Sequence, residues 1–486
     1  MQKVFALCFL LGLCSLPSYT LAESLNDVIR AAISKHPDIA LAQTNTSLAH
    51  NDQRRIQGML DPTLSLNLSS SDETTPTTSP FATNQTQVSQ LSGNIVKPWE
   101  DGSSLSANLS YNRTKLNYPA SVPTTFQSSV NPVYKHQIDL TYRYPLLRGH
   151  NNPSYHEQLQ ISAQNEQASR WRVQQLKEQL AEQATALYFQ LAADYLSVNL
   201  AKDTVNRAKK LLTYQKKREQ FGLIEKAERL QAEALLASRQ MAYANAIATR
   251  KKSLTSLNRL MLRSGSSPIS TKIESIRAKD HRSLDINQLL QKAEEQRAIF
   301  QALDADEQAN QASSQIALDQ SDTQLDVIAQ VGSRALSGSA GKTLGQGFTL
   351  NDRFISIGLE VHDSLGGNVA KANIQKVELQ RERIILQRTQ AIENIKSTLS
   401  SAITNYENAK MLMRSSMLQE QAEQRKFNAE IKRYREGRSN TATIVQFEGD
   451  LRIAELQAAL QGIQMQLASK QIHLATGDVL KQVETP

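Results

Sequence analysis

From Ser154 to Ser264 the chain holds one glycine, Gly222, and no proline. These are the residues that most reliably end a helix, so the stretch can be broken at one point only. Before the break, Leu187, Leu191, Val198, Ala201, Val205, Ala208 and Leu212 recur at spacings that sum to heptads, with Asp194 the one polar intruder. That is the seam of a coiled coil. After the break the seam resumes as Ala227, Leu230, Ala234, Ala237, Met241, Ala244 and Ala248, small enough for a partner helix to approach closely. A helix from Ser154 to Phe221 would be roughly 100 Å long, several times a bilayer core of ~30 Å. It is studded with Lys, Arg, Glu and Gln, so its solvent is water and its partners are other long helices.

Composition agrees with rods rather than a large globular core. Aromatic residues make up only 5% of the chain, and the net charge of +8 is the balance of 55 basic and 47 acidic residues spread along the same helices. The basic runs Lys209-Lys210, Lys216-Lys217-Arg218 and Arg250-Lys251-Lys252 are short. They read as solvated helix faces, and no nucleic-acid partner is expected.

Residues 1–22 read as an export signal: Lys3, an apolar stretch from Val4 to Leu13, then small Thr20 and Ala22 before Glu23. The alternative is a lipidated Cys14 in Leu11-Gly12-Leu13-Cys14, for which Leu13 is bulky. Both cysteines, Cys8 and Cys14, fall in this segment, so no disulfide or cysteine metal site is expected downstream. No later apolar run approaches the ~18 residues of a helical membrane span.

Ser24 to Gly58 reads as a helix pair or a kinked helix, with the break at Lys35-His36 and Pro37 in the first turn after it. Past Asp61-Pro62 the period changes: Leu64, Leu66 and Leu68 alternate with Ser65, Asn67 and Ser69, the pattern of a strand with one apolar face. Ser70 to Gln87 reads as a polar loop. Val88 to Val96 and Ser103 to Thr114 alternate again around an Asp101-Gly102 turn, the signature of a hairpin. A second polar loop runs to about Val133, and a last strand carries Ile138, Leu140, Tyr142 and Tyr144 on one face. Trp99, Tyr111, Tyr118, Tyr134, Tyr142 and Tyr144 gather here; in a soluble sheet they would be core, and on a barrel they suit an interfacial girdle.

The chain repeats itself. Asn26–Leu68 lies over Asn287–Ala329 without a gap, an offset of 261 (287 minus 26), which sets Val28 on Leu289, Ala32 on Ala293 and Leu64 on Leu325. Beyond the strands the offset is 215: Gly222 falls on Gly437 and Glu233 on Glu448. The difference lies in the longer strand-and-loop region of the first half. The second half carries seams at Ile392, Ile395, Leu399, Ala402, Tyr406, Ala409 and Met413, and at Ala454, Ala458, Met465, Ala468, Ile472 and Ala475. Its β excursion holds Leu325–Gly332 and Phe354–Val361, joined by a Gly/Ser-rich loop over Ser333–Phe348. Each half is thus a helix, a β excursion and a long helix broken once by glycine. A few strands on a rod cannot cover their own edges, and several copies closing into one barrel would.

The expected organisation is a signal peptide at 1–22, a first repeat at 23–270 (strands about 61–145, long helices 150–264), a second at 271–480 (strands about 323–362, long helices 368–477) and a tail at 481–486. The fold class is mainly α with a β-barrel part, built as two repeats of long coiled-coil helices plus strands.

Three junctions carry a family resemblance. Ser24-Leu25-Asn26-Asp27-Val28-Ile29 through His36-Pro37-Asp38-Ile39 resembles the opening motif of the TolC family of outer-membrane efflux proteins. Tyr144-Pro145-Leu146-Leu147-Arg148-Gly149, with Asp363-Ser364-Leu365-Gly366-Gly367 as counterpart, resembles that family's barrel-to-helix junction. Tyr434-Arg435-Glu436-Gly437 followed by Ile444-Val445-Gln446-Phe447-Glu448 resembles its turn near the periplasmic tip. The resemblance implies a homotrimer whose strands form one outer-membrane β-barrel in contact with lipid and whose helices form one periplasmic α-barrel. It also implies work as the exit duct of a tripartite efflux or type I secretion system, with a periplasmic adaptor (membrane fusion protein) and an inner-membrane transporter as partners. Family members supply four strands per chain, so the hairpin around Pro98–Gly102 is an addition.

At the tip, the resembling proteins carry acidic rings that hold the entrance shut; here Thr443 and Gln446 stand at those positions, a departure. Nearby charge comes from Glu225, Glu228, Arg229, Arg438 and Glu448, with Gly222 and Gly437 shaping the turns. These are the gate candidates, with closure expected from contacts among Glu228, Arg229, Arg438 and Gln446; the plainer reading is ordinary exposed ion pairs worth ~0–1 kcal/mol each. Pro145, Gly149, Gly366 and Gly367 mark the barrel–helix junctions. No catalytic, cofactor or metal site is expected: the histidines are scattered, His150 and His156 read as junction residues, and the Gly338–Gly347 loop with Lys342 lacks a phosphate-binding pattern. The rival class is a periplasmic structural or adaptor coiled coil, which explains the rods but not the paired strand segments.

Overall fold

The chain enters its first helix through a reciprocal cap, in which Ser24 Oγ accepts the Asp27 N–H and the Asp27 carboxylate accepts the Ser24 N–H, opening α1 (Leu25–Ser34). The computed structural model describes residues 23–76, 79, 81–269, 271, 285–349 and 352–478. The expected signal peptide at 1–22 and tail at 481–486 lie outside them. Pro37 opens α2 (Pro37–Gln57), where its missing N–H costs nothing. Strands β1 (Thr63–Thr74), β2 (Gln85–Pro98), β3 (Ser104–Asn117) and β4 (Val133–Pro145) follow, then α3 (Pro153–Gln220) and α4 (Lys226–Leu260). The second half runs α5 (Ile286–Gln296), α6 (Ala298–Asp319), β5 (Gln324–Ser337), α7 (Ala340–Phe348), β6 (Arg353–His362), α8 (Asn368–Arg435) and α9 (Thr441–Ala475). α3 and α8 have 68 residues each and α4 and α9 have 35 each, and both pairs begin and end at the offset of 215.

Two compact units divide the chain. The first, Met1–Ala42, Arg172–Phe300 and Gln390–Pro486, holds only helices among the named elements of its described residues. Its largest core packs Val28, Ile29 and Ala32 of α1 on Ala184, Tyr188 and Leu191 of α3, with Leu257 of α4 and Ile463 of α9. A second cluster joins Tyr406, Ala409 and Met413 of α8 to Met465, Ala468 and Ile472 of α9. Each fully buried Val, Leu or Ile side chain among them contributes roughly 1.5–3 kcal/mol. The α3, α8 and α9 seams are thus buried or half-buried, but the α4 seam is not. Ala227, Leu230, Ala234, Ala237, Met241, Ala244 and Ala248 are exposed in the single chain, and α4 buries Ala232, Leu235 and Leu257 instead.

The second unit, Gln43–Trp171 and Gln301–Thr389, contains one six-stranded antiparallel sheet in chain order, β1 to β6. The hairpin around Asp101-Gly102 is real and is β2–β3, placed between β1 and β4. Two expected loops are corrected. Within 70–87, the stretch to Thr74 belongs to β1 and that from Gln85 belongs to β2, because Ser70–Thr74 pairs with Gln85–Ser89 and the backbone ladder overrides the polar side chains. The Gly/Ser-rich loop over 333–348 is the end of β5 followed by helix α7. α7 lies on β4 and β5, with Thr343 fully buried, and at Gly347 an added Cβ would fall on the His136 ring. The glycine that reads as loop in sequence is there for close approach.

Candidate functional site

The sheet has two chemically different faces, since paired residues of antiparallel strands share a side. One carries Leu64, Leu66 and Leu68 of β1, Leu91 and Ile95 of β2, Leu109 of β3, Ile138 and Leu140 of β4, Val327 and Val331 of β5, and Ile355, Ile357, Leu359 and Val361 of β6. These side chains are bare on the outermost strands: Leu68 is 80% and Ile357 78% exposed. Aromatic pairs flank the band, Trp99–Tyr142 at 6.3 Å toward the helix junction and Tyr111–Tyr134 at 6.1 Å toward the far end. The opposite face is polar. Asp139 accepts hydrogen bonds from Asn108 (2.8 Å), Gln137 (2.9 Å) and Gln330 (3.0 Å), and Arg143 bridges Asp326 (2.5 Å) and Glu360 (2.7 Å).

At the sheet's other boundary the junction residues form tight turns. Pro145 ends β4, the Gly149 N–H donates to Asp319 at 2.8 Å, and Gly366 and Gly367 both donate to Ser364 O. The β2–β3 turn rests on this junction, and Asn151 N–H donates to Asp101 O at 3.1 Å. His150 and His156 reach the backbone carbonyls of Pro145 and Glu100.

The helical unit ends in two glycine turns. Gly222 (φ 68°) and Gly437 (φ 74°) each close the preceding helix in the left-handed conformation. The next residues, Leu223 and Arg438, donate back to Arg218 O and Arg433 O, both at 2.9 Å, which makes each a Schellman cap. Between the turns lies a buried polar clasp. The Gln215 side-chain amide donates to Tyr434 Oη and, at 2.5 Å, to Thr441 Oγ1; Thr441 Oγ1 donates to Glu228 Oε2 at 2.5 Å. Gln215 and Thr441 are fully buried and Tyr434 nearly so, and the Arg218 guanidinium lies 5.4 Å from the Tyr434 ring centre. One residue each from α3, α8, α9 and α4 is thus tied at a single point.

The gate candidates are distributed around this clasp, and within one chain they do not form one cluster. Glu228 belongs to it. Arg229 binds Glu219 (2.7 Å) and Glu233 (2.6 Å), joining α3 to α4, and Arg438 binds Glu436 in its own turn. Thr443 donates to Asn440, the cap of α9; Glu225 caps α4 without a side-chain bond, and Gln446 is exposed. Glu448 is buried and serves packing: Arg239 contacts it at 2.6 Å and Arg207 at 3.6 Å, while Arg207 also holds Glu455 at 2.8 Å. Sequence reasoning missed Gln215 and Thr441. The available signal was a glutamine two turns before Gly222, at the heptad position that follows Leu212.

No protein-family model and no curated protein sequence matches the chain. Solved structures do. The outer-membrane channel OprN is similar at 16% identity and TM-score 0.68, over 93% of this chain and 90% of that one. The outer membrane protein VceC from Vibrio cholerae gives 15% and 0.65 over 93% and 96%, and the Campylobacter jejuni CmeC outer membrane channel 15% and 0.62 over 95% and 88%. The chain therefore has the fold of outer-membrane channels, mostly helical with one antiparallel sheet. The resemblance to the TolC family holds at the level of that fold.

Proposed function

We propose that the chain is one subunit of an outer-membrane channel that passes substrates out of the periplasm. The observation that carries this reading is the two-faced sheet. A continuous band of Leu, Ile and Val with aromatic flanks on one side and a hydrogen-bonded polar surface on the other is what a barrel wall needs between lipid and water. Among the described residues no helix is long and apolar enough to cross a membrane, and a closed barrel is the other structure that satisfies every backbone group in lipid. Six strands whose outer edges, β1 and β6, have no partner strand among the described residues do not close alone. Three copies would make about eighteen strands, a size that leaves an aqueous channel. The exposed α4 seam supports helix packing between copies in the same assembly. In this reading the two halves are two repeats, residues 1–22 are removed on export, and the tip meets a periplasmic adaptor and an inner-membrane transporter. The Gln215–Tyr434–Thr441–Glu228 clasp, with the gate candidates around it, holds the tip closed. Fractionation and native mass measurement test the reading. Detergent-dependent extraction from the outer membrane as a trimer is expected, with ion conductance in planar bilayers. Release as a soluble periplasmic monomer would favour the structural coiled coil instead.

A further inference from the structure

The two sequence offsets act as a three-dimensional operation. In the first half Ile39 packs with Leu180; in the second Phe300 packs with Ile395, and 39 plus 261 is 300 while 180 plus 215 is 395. The same contact is thus built twice, once in each half. In a ring of copies where one rotation relates successive halves, contacts between the halves can be carried forward in the same way, from the second half of one copy to the first half of the next.

β4 belongs to the first half and β5 to the second, and they pair with Tyr144 opposite Val327 and Tyr142 opposite Ala329. Adding 215 to the β4 residues and subtracting 261 from the β5 residues gives Leu359 opposite Leu66 and Ile357 opposite Leu68. These lie on β6 and β1, the two edges of the sheet without a partner strand among the described residues. We infer that neighbouring copies join β6 to β1 antiparallel in this register, and that the operation also sets Glu393 of one copy against His36 of the next. The inference rests on the channel reading above and specifies its subunit seam.

Chemistry on both edges fits. The register sets Val361, Leu359 and Ile357 against Leu64, Leu66 and Leu68 on the apolar face, and Glu360, Gly358 and Ser356 against Ser65, Asn67 and Ser69 on the polar one. A slip by one residue would turn every apolar side chain of one strand to the polar side. The offset of 215 is kept by the helices that follow the strands, Pro153 of α3 falling on Asn368 of α8, and the register brings His362, the last residue of β6, opposite Thr63, the first of β1. In the helical unit the parent contact is the ion pair of Glu178 on α3 with Arg297 at the α5–α6 break. Glu178 maps onto Glu393, which is exposed, and Arg297 onto His36 at the α1–α2 break. Ala298, whose N–H also reaches Glu178, maps onto Pro37, which has no N–H, so the copied contact rests on the imidazole.

Both cysteines precede residue 23 and leave with the export signal in the channel reading, and the parent chain run beside the variants shows any crosslink of their own. Opposed residues of an antiparallel pair have Cα atoms ~4.5–5.5 Å apart, within the span of a disulfide. The full chain carrying Leu66→Cys with Leu359→Cys is oxidised in membranes and run on a denaturing gel, beside Leu66→Cys with Ile355→Cys, Ile357→Cys or Val361→Cys. Covalent dimers and trimers are expected to dominate for Leu359→Cys. A stronger product with any of the other three, or an oligomer by native mass that none of the pairs crosslinks, overturns the register. A monomer by native mass overturns the channel reading itself. In a second arm, Glu393→Lys is expected to lower the temperature at which the oligomer dissociates, and Glu393→Lys with His36→Glu to restore it. Failure of the double variant to recover while Glu393→Lys alone weakens the oligomer overturns the Glu393–His36 contact.

Discussion

The Arg297 guanidinium lies 2.9 Å from the Glu178 carboxylate, in the break between α5 and α6, and the N–H of Ala298 donates to the same carboxylate at 3.1 Å. Both side chains are largely buried, and burial pushes the Glu178 carboxyl above its usual range, with Arg297 and the Ala298 N–H opposing the shift. Arg297→Ala leaves the carboxylate desolvated with one partner fewer, so a loss on the order of 3 kcal/mol is expected at neutral pH. A raised carboxyl pKa favours the folded state below the unfolded value, and that contribution is lost as pH rises through the folded value. The deficit of Arg297→Ala should therefore shrink as pH falls through the raised pKa of Glu178. Denaturant titrations at neutral and mildly acidic pH check this, and a deficit that is constant or grows on acidification would contradict it.

The clasp makes its own prediction. Thr441→Val keeps the volume of the side chain but removes the hydroxyl that links Gln215 to Glu228, leaving both without that buried partner, at about 1–3 kcal/mol. Under the proposed function the variant, and Gln215→Ala with it, should show larger or longer openings in planar bilayers than the parent. Thr443→Ala, which touches only the cap of α9, should leave conductance near the parent value. Equal conductance in all of them would remove the clasp from the closing device.

Much of this architecture was legible because two periods dominate it. The helical spacing through Leu191, Val205 and Ala208, the alternation through Leu64 to Leu68, and the single glycines at Gly222 and Gly437 each dictate one local outcome. What was not legible depends on close approach. α7 is a run rich in glycine that lies on β4 and β5 with Gly347 against the His136 ring, and sequence alone cannot see that surface. The α4 seam reads as core, yet the single chain leaves it bare, since a heptad names a face and not the partner that covers it. Gln215 and Thr441 were hidden for a related reason. Each is unremarkable by itself, and only the meeting of four helices makes them a unit.

α7 offers a test of surface order. Overpacking a tight contact costs about 1–3 kcal/mol, and Gly347→Leu places a side chain where the His136 ring stands. The helix should lift from β4 and β5, and the exposed Lys342 should become a trypsin site on intact cells while the parent resists cleavage there. An epitope inserted after the exposed Ser121, in the loop between β3 and β4, should be readable on the same cells without loss of export. An epitope seen only after the envelope is broken would reverse the orientation assigned to the sheet.

The two faces of β6 separate a membrane wall from a soluble sheet by a single comparison. Ile357 stands in the apolar band, 78% exposed in the single chain, while its neighbour Ser356 points to the polar face. In water, a substitution at either exposed position would change stability by within about 0.5 kcal/mol. Against lipid, arginine near the bilayer midplane costs about 2–4 kcal/mol, whereas the lumen side accepts charge. Ile357→Arg is therefore expected to reduce the fraction of chain that refolds into vesicles, or to lower the denaturant midpoint there, and Ser356→Arg to leave both near the parent. Leu66→Arg and Ser65→Arg on β1 should repeat the contrast, since their faces match across the sheet. Equal tolerance of arginine at Ile357 and Ser356 would mean that the apolar face meets water or another protein rather than lipid, and the barrel reading would fall with it.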